Sequence, residues 1–441
     1  MPIPPNTTNS NVIPKGLSQS TDYKFQCQII TGNGTLTDIS DLVLHFNLYE
    51  SIFSPCMTGT IIVSDSLDII TNLTLHGNEW VYISLDKPSL NRPIKKYFRI
   101  YKVSNRGAES QSIQKYIISF CSEELILSSQ FYVRKTYKGL SIDSMVSDIL
   151  LNLLKVPTSK INNIRSTSGS YDLMIPRMRP LEAIVWLASR GYNTNENTFF
   201  FYESADGFNF TSYENMISQT PYTTFSWRPN VVGDPSQDIQ SLRYAKNDVD
   251  FDILRGNRYG QFASSLLTFD LVNRTKKVYT SSGVNTPAKS LLNSNLPANL
   301  TTNRLNMTLF DATDSVVKFV PITDSDSTTN KFVPQNWMLQ NQLKLAQLQT
   351  LKTTVVIASD FQIRAGMTLN LIRPKMQPQN KSDSEYLDTF RTAKYLVSAV
   401  NHGIIGDISS TTLELLSDSF ADKIPGPASN AGALQQVKQS W

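Results

Sequence analysis

Tyr49–Ser66, YESIFSPCMTGTIIVSDS, and Phe361–His402, which holds FQIRAGMTLNLIRP and KYLVSAVNH, decide the reading of this chain. Each stretch alternates apolar and polar residues over short runs and turns at a glycine, the pattern of β-strands meeting at a corner. Neither carries a group suited to catalysis. Working outward from the first, Lys24–Ile30, Leu42–Tyr49, Thr60–Val63, Trp80–Leu85 and Tyr116–Cys121 read as strands separated by Gly32-Asn33-Gly34 and His76-Gly77-Asn78. Strands this close together favour a barrel or a sandwich.

From about Ser122 the period changes from two to 3.6. Ile142, Met145, Val146, Ile149, Leu150, Leu153 and Leu154 fall on one helical face, with Ser141 as N-cap and Pro157 as stop. A second helix starts at Pro180, buries Leu181, Ile184, Val185 and Ala188, and is expected to cap at Gly191. TFFFY and FNFTS then flank Asp206-Gly207, a hairpin signal. Residues 122–219 thus read as a small two-helix α/β domain inserted into a mainly β chain.

The third region, residues 220–417, returns to strands at Thr353–Ile357, Thr368–Ile372, Lys394–Val400 and Thr411–Leu416. It contains an Asn/Ser/Thr-rich excursion over 281–330. WMLQNQLKLAQL, Trp337–Leu348, reads as a helix that packs Trp337, Leu339, Leu343 and Ala346 inward and leaves Lys344 exposed. Residues 1–21 form a Pro/Asn/Ser-rich arm, and 418–441 a polar tail hinged at Pro425-Gly426-Pro427. In the tail, Leu434, Val437 and Trp441 align on one helical face; a partner-docking stripe and a frayed end both fit.

Composition narrows the function classes. The 441 residues are enough for two to four domains, and 40% are hydrophobic against 18% charged. A net charge of +4 over 41 basic and 37 acidic residues makes no electrostatic case for nucleic-acid or membrane binding. Lys95-Lys96-Tyr97-Phe98-Arg99 mixes bases with aromatics, but it alternates as an amphipathic strand does. There is no apolar leader and no uncharged apolar run of about 18 residues, so no membrane insertion is expected. Cys27, Cys56 and Cys121 have no CxxC spacing and read as reduced, buried thiols.

Catalytic, metal and cofactor signatures are missing. His45, His76 and His402 lack metal-ligand spacing, and no GxSxG, GxGxxG or P-loop occurs. Glu123-Glu124 and Asp324/Asp326 are the nearest paired acids. Neighbours in sequence do not form the facing carboxyls of a glycosidase, so they read as surface acids.

YESIFSPCMTGTIIVSDS, PRMRPLEAIVWLASRGYN with TFFFYESADGFNFTS, and IRAGMTLNLI through KYLVSAVNHGI together resemble the central baseplate hub protein of T4-like contractile-tailed phages, a relative of the hub part of type VI secretion spike proteins. The resemblance implies two tail-tube-like β-barrels, 22–121 and 220–417, with the α/β domain outside. It implies a homotrimer whose six barrels surround a channel for DNA, which passes without specific binding. The implied partners are the tail tube or its initiator, the central spike and the baseplate wedge proteins. The implied location is the virion baseplate, assembled in the host cytoplasm. A baseplate-associated cell-wall hydrolase and a receptor-binding tail protein are the competing readings.

Overall fold

The computed structural model describes residues 23–73, 75–88, 90–108, 113–226, 242–282, 291–294, 301–302, 307–308, 316–322, 333–373, 375 and 387–421. The first region holds β1 (Lys24–Ile30), β2 (Val43–Ser51), β3 (Thr58–Asp65), β4 (Trp80–Asp86), β5 (Ile94–Ala108) and β6 (Gln114–Cys121). Helices α1 (Glu123–Gln130), α2 (Ile142–Asp148) and α3 (Pro180–Ala188) follow, then the hairpin β7 (Phe199–Ser204) and β8 (Gly207–Ser212). The third region holds β9 (Thr224–Ser226), β10 (Leu242–Val249), α4 (Ile253–Tyr259), α5 (Met338–Gln347), β11 (Leu351–Ala358), β12 (Thr368–Ile372), β13 (Ala393–Ile405) and β14 (Ile408–Ser417).

Alternation in the sequence becomes two apolar cores. In β3 every second residue is buried, and β11 repeats the pattern. Phe46, Ile61, Val63, Val81, Ile83, Phe98, Ile118 and Phe120 fill the first core; Val355, Ile357, Leu369, Leu371, Tyr395, Val397, Leu413 and Leu415 fill the second. Each such side chain contributes about 1.5–3 kcal/mol when removed from water. Gly59 is required by close approach: a Cβ there would lie 2.2 Å from the Phe120 ring and 2.5 Å from the Asn47 carbonyl.

The pairing order is the same in both regions. The first runs β2-β3-β6-β5-β4-β1 and the second β10-β11-β14-β13-β12-β9. One difference is that β1 pairs antiparallel with β4 whereas β9 pairs parallel with β12. Strand patterning did not suggest that both regions share one 13-stranded sheet. The cause is the length of β13. Residues 393–396 pair with β12, and 399–405 pair with β2, so one strand serves both regions.

The inserted segment has its own core, in which Met145, Val146, Ile149 and Leu150 meet Leu181, Ile184, Leu187, Phe199, Phe201, Phe208 and Phe210. Several local expectations are corrected here. Val185 is 45% exposed, and Ala183 and Leu187 take the buried face with Ile184. Ser141 has the extended backbone of an N-cap, but its hydroxyl meets the Ser144 hydroxyl at 2.9 Å instead of capping a backbone N–H. Helix α2 runs on into a π-helical turn, Ile149–Leu153. Gly191 is not left-handed; it lets the Phe199 ring approach, since a Cβ there would sit 3.1 Å from it.

Candidate functional site

The densest polar arrangement lies where the β7–β8 hairpin enters between the two strand regions. Glu203, at the end of the aromatic run in β7, is 4% exposed. One carboxylate oxygen accepts from the Met57 backbone N–H at 3.0 Å and from the Ser122 hydroxyl; the other accepts from Lys96 Nζ at 2.9 Å. Lys96 also donates to the Ser204 carbonyl at 2.8 Å. Glu50, 1% exposed on β2, accepts the N–H of Ala205 at 2.9 Å and that of Ala365 at 3.3 Å. Asp206 at the turn pairs with Arg92 at 3.1 Å and with the buried Arg364 at 3.5 Å. The hairpin tip is thus held by charged groups from both strand regions at once.

Backbone geometry fixes the same joint. Gly366 has φ +86°, and a Cβ there would fall 2.1 Å from the Tyr202 hydroxyl. Burial raises the Glu50 carboxyl above its ordinary range, an effect that Arg364 and Lys96 partly offset. Such a network is costly if any member is removed, because the survivor is left charged and dry. What it can do chemically is hold three folding units in one orientation.

The thiols of the first module are not activated as nucleophiles. Burial raises the Cys56 thiol and pushes that of Cys121 up to about 12, and Cys27 is raised as well. A nucleophilic thiol needs the opposite shift. His402 is fully buried, with Nδ1 3.2 Å from the Thr411 hydroxyl and its ring edge-on to Phe361; burial lowers it to about 3. His45 and His76 lie apart from it, on β2 and in the loop before β4. No group of three His, Cys, Asp or Glu side chains among the described residues could hold a metal ion. No helix among them is long and apolar enough to cross a membrane.

The paired acids also separate. Glu123 bridges to Arg99 at 3.1 Å, but Glu124 is 3% exposed and accepts from Lys160 Nζ at 2.7 Å, which corrects its reading as a surface acid. Its partner lies 36 residues further on, in the short 3-10 turn Thr158–Lys160, a contact that sequence spacing does not reveal. Asp324 and Asp326 lie outside the described residues.

Trp337, Leu339 and Leu343 are buried at the start and along the inner face of α5. The helix lies against α4 and the strand Ala263–Asp270, and Asn341 donates to the Ser189 carbonyl of the insertion at 2.8 Å. Leu348, just past its end, joins Leu396 and Leu416 in an apolar cluster. Lys344 is corrected: it is 5% exposed, with Nζ 3.8 Å from the fully buried Asp418. Leu434, Val437 and Trp441 lie outside the described residues.

Glu50, Lys96, Glu203 and Arg364 were missed by sequence reasoning. The available signal was a lone charge within apolar runs, as in FFFYES and FQIRAG, which periodicity treats as an outward residue.

The chain has a relative among known phage proteins. It is 25% identical over 196 residues to the probable baseplate hub protein gp334 of Vibrio phage KVP40. The chain is similar to phage baseplate hub proteins. The aligned part is 42% of this hub-like chain and 44% of that relative, so the match spans less than half of either. No family model matches. Two solved structures share the fold over nearly the whole chain. The tail protein from Neisseria meningitidis MC58 superposes with a TM-score of 0.53 at 13% identity, covering 91% of this chain and 99% of that one. The 43 kDa tail protein of prophage MuSo2 from Shewanella oneidensis gives 0.50 at 8% identity, covering 90% and 99%.

Proposed function

We propose that the chain is a structural hub of a phage tail baseplate, and that three copies form a ring around a channel. The observation that carries this reading is the repeated pairing order, β2-β3-β6-β5-β4-β1 and β10-β11-β14-β13-β12-β9. Two like modules per chain give six like positions in a ring of three. Such a ring matches a sixfold tail tube on one face and a threefold central spike on the other. The modules correspond to residues 22–121 and 220–417, and the inserted α/β domain sits outside the ring. DNA passes through without specific contacts, in keeping with the small net charge of +4.

The function is mechanical, not enzymatic. Its chemistry is the buried charge network that keeps the insertion and both modules in one orientation, so that the two modules of a chain present fixed positions to their neighbours. The test is sedimentation of the purified chain together with a zymogram on peptidoglycan. A species of three chains with no lysis is expected. Lysis by the purified protein would favour the cell-wall hydrolase reading, and a monomer located at the tail periphery would favour the receptor-binding one.

A further inference from the structure

The two modules match in pairing order and share two register skips. Along β5, Arg99 faces Cys121 and Ile100 faces Phe120; the register then skips Tyr101, and Lys102, Val103 and Ser104 face Ser119, Ile118 and Ile117. Along β13, Leu396 faces Leu416 and Val397 faces Leu415; the register skips Ser398, and Ala399, Val400 and Asn401 face Glu414, Leu413 and Thr412. The partner strands β6 and β14 align equally well against β3 and β11. The first strand of each set agrees too. The register of β2 on β3 skips between Val43 and His45, and that of β10 on β11 skips between Leu242 and Tyr244. Therefore β5 corresponds to β13, and β2 to β10.

Within one chain, the part of β13 beyond its bulge uses its other edge to pair with β2: Val400 with Glu50, Asn401 with Tyr49, Gly403 with Asn47 and Ile404 with Phe46. The corresponding edge of β5, beyond Ile100, has no partner strand among the described residues, nor does the outer edge of β10. Tyr101, Val103 and Tyr244 are exposed beside these edges. Long open edges invite pairing with another chain.

We infer that β5 of one copy pairs antiparallel with β10 of a second copy, repeating between chains the β13–β2 junction found inside each chain. Transferring that junction residue by residue sets Val103 opposite Asp250, Ser104 opposite Val249, Gly107 opposite Lys246 and Ala108 opposite Ala245. Both strands carry a further irregularity inside this span, between Ser104 and Gly107 in β5 and between Asn247 and Val249 in β10. The two irregularities meet, so the register is the same on either side of them. The contact is head-to-tail, the kind that closes into a ring when the rotation permits. This inference rests on the ring proposed above and specifies the surfaces that close it.

The test is oxidative cross-linking of full-length Ser104→Cys/Val249→Cys and Gly107→Cys/Lys246→Cys, with Ser104→Cys/Lys246→Cys as the out-of-register control. Wild type is the background control, since its three cysteines are buried. Six strands separate β5 from β10 in the sheet of one chain, so a disulfide between them joins two chains. Directly opposed residues lie within disulfide reach, whereas the control pair, three residues out of register, does not. Expected are covalent dimers and trimers for both in-register pairs and neither for the control. Mixing chains that carry only Ser104→Cys with chains that carry only Val249→Cys should stop at dimers. A three-chain species that fails to cross-link at both pairs would overturn the strand pairing while leaving the ring intact. Equal cross-linking of the control would overturn the register, and a chain that stays monomeric would overturn ring and pairing together.

Discussion

Replacing Glu203 with Ala should separate the inserted domain from the first module without unfolding either. The substitution removes the acceptor for the Met57 N–H and the Ser122 hydroxyl and leaves Lys96, whose side chain is 19% exposed, without its carboxylate. Breaking a buried ion pair by deleting one member costs about 3–5 kcal/mol. The partial exposure of Lys96 puts the expected value at the lower end, about 3 kcal/mol. Glu203→Gln keeps one acceptor oxygen for Met57 but turns amide hydrogens toward Lys96, so it should lose about 1.5–3 kcal/mol, the range for hydrogen bonds to charged groups. The assay is amide hydrogen exchange resolved by peptide, because a chain of several units need not unfold in one step. In the wild type, β7, β8 and the segment around Met57 should open together. In Glu203→Ala the hairpin should open on its own, with faster exchange at Met57. A double-mutant cycle with Lys96→Met isolates the pair. If Glu203→Ala changes stability by less than about 0.5 kcal/mol, the size of an ordinary surface substitution, the joint is not held as described.

Two further outcomes follow from other buried groups. Leu343→Ala should cost about 2–5 kcal/mol through lost burial and the cavity left behind, and Lys344→Ala should cost as much, because it strands Asp418; urea unfolding that finds Lys344→Ala neutral would refute the buried-pair assignment. The pH profile should carry two opposed contributions. His402, lowered to about 3, stays neutral in the folded chain, so its contribution is lost as pH falls below 6.5, the ordinary value of a histidine, and His402→Gln should flatten the acid limb. Glu214, raised from 4.5 to about 7 by burial, holds its proton when folded, so stability declines as pH rises across that interval, and Glu214→Gln should remove the decline. Profiles unchanged by either substitution would count against the corresponding burial.

How far the sequence led depended on whether an element's period was clean. Ile61 and Val63, Leu369 and Leu371, and the FFFY–FNF hairpin alternate or cluster strongly enough to be read directly, and the mainly β chain with an inserted α/β segment was legible from them. The duplication was not. Corresponding core positions hold different side chains, Phe120 against Leu415 and Phe98 against Tyr395, because a core constrains volume and polarity more than identity. The match is carried by backbone register and by bulges at Tyr101 and Ser398, which have no fixed composition. The polar joint was hidden for another reason. Glu50, Lys96, Glu203 and Lys344 look like solvated charges in any periodicity argument, and only the approach of a distant segment shows that Lys96 is half-buried and the other three buried. Val185 and Gly191 were misread because an apolar residue and a helix-ending glycine each have two common uses.

The central claim is that one chain supplies two like positions around an axis. Cryo-electron microscopy of intact tail tips, with the chain located by a tag inserted after Ser170 in an exposed loop of the insertion, tests it directly. The account predicts three copies at the axis, with the β2–β3–β6–β5 and β10–β11–β14–β13 sheets alternating around one channel at steps close to 60°, six modules in a full turn. A peripheral location, or two modules that lie at different radii and share no common axis, would contradict it.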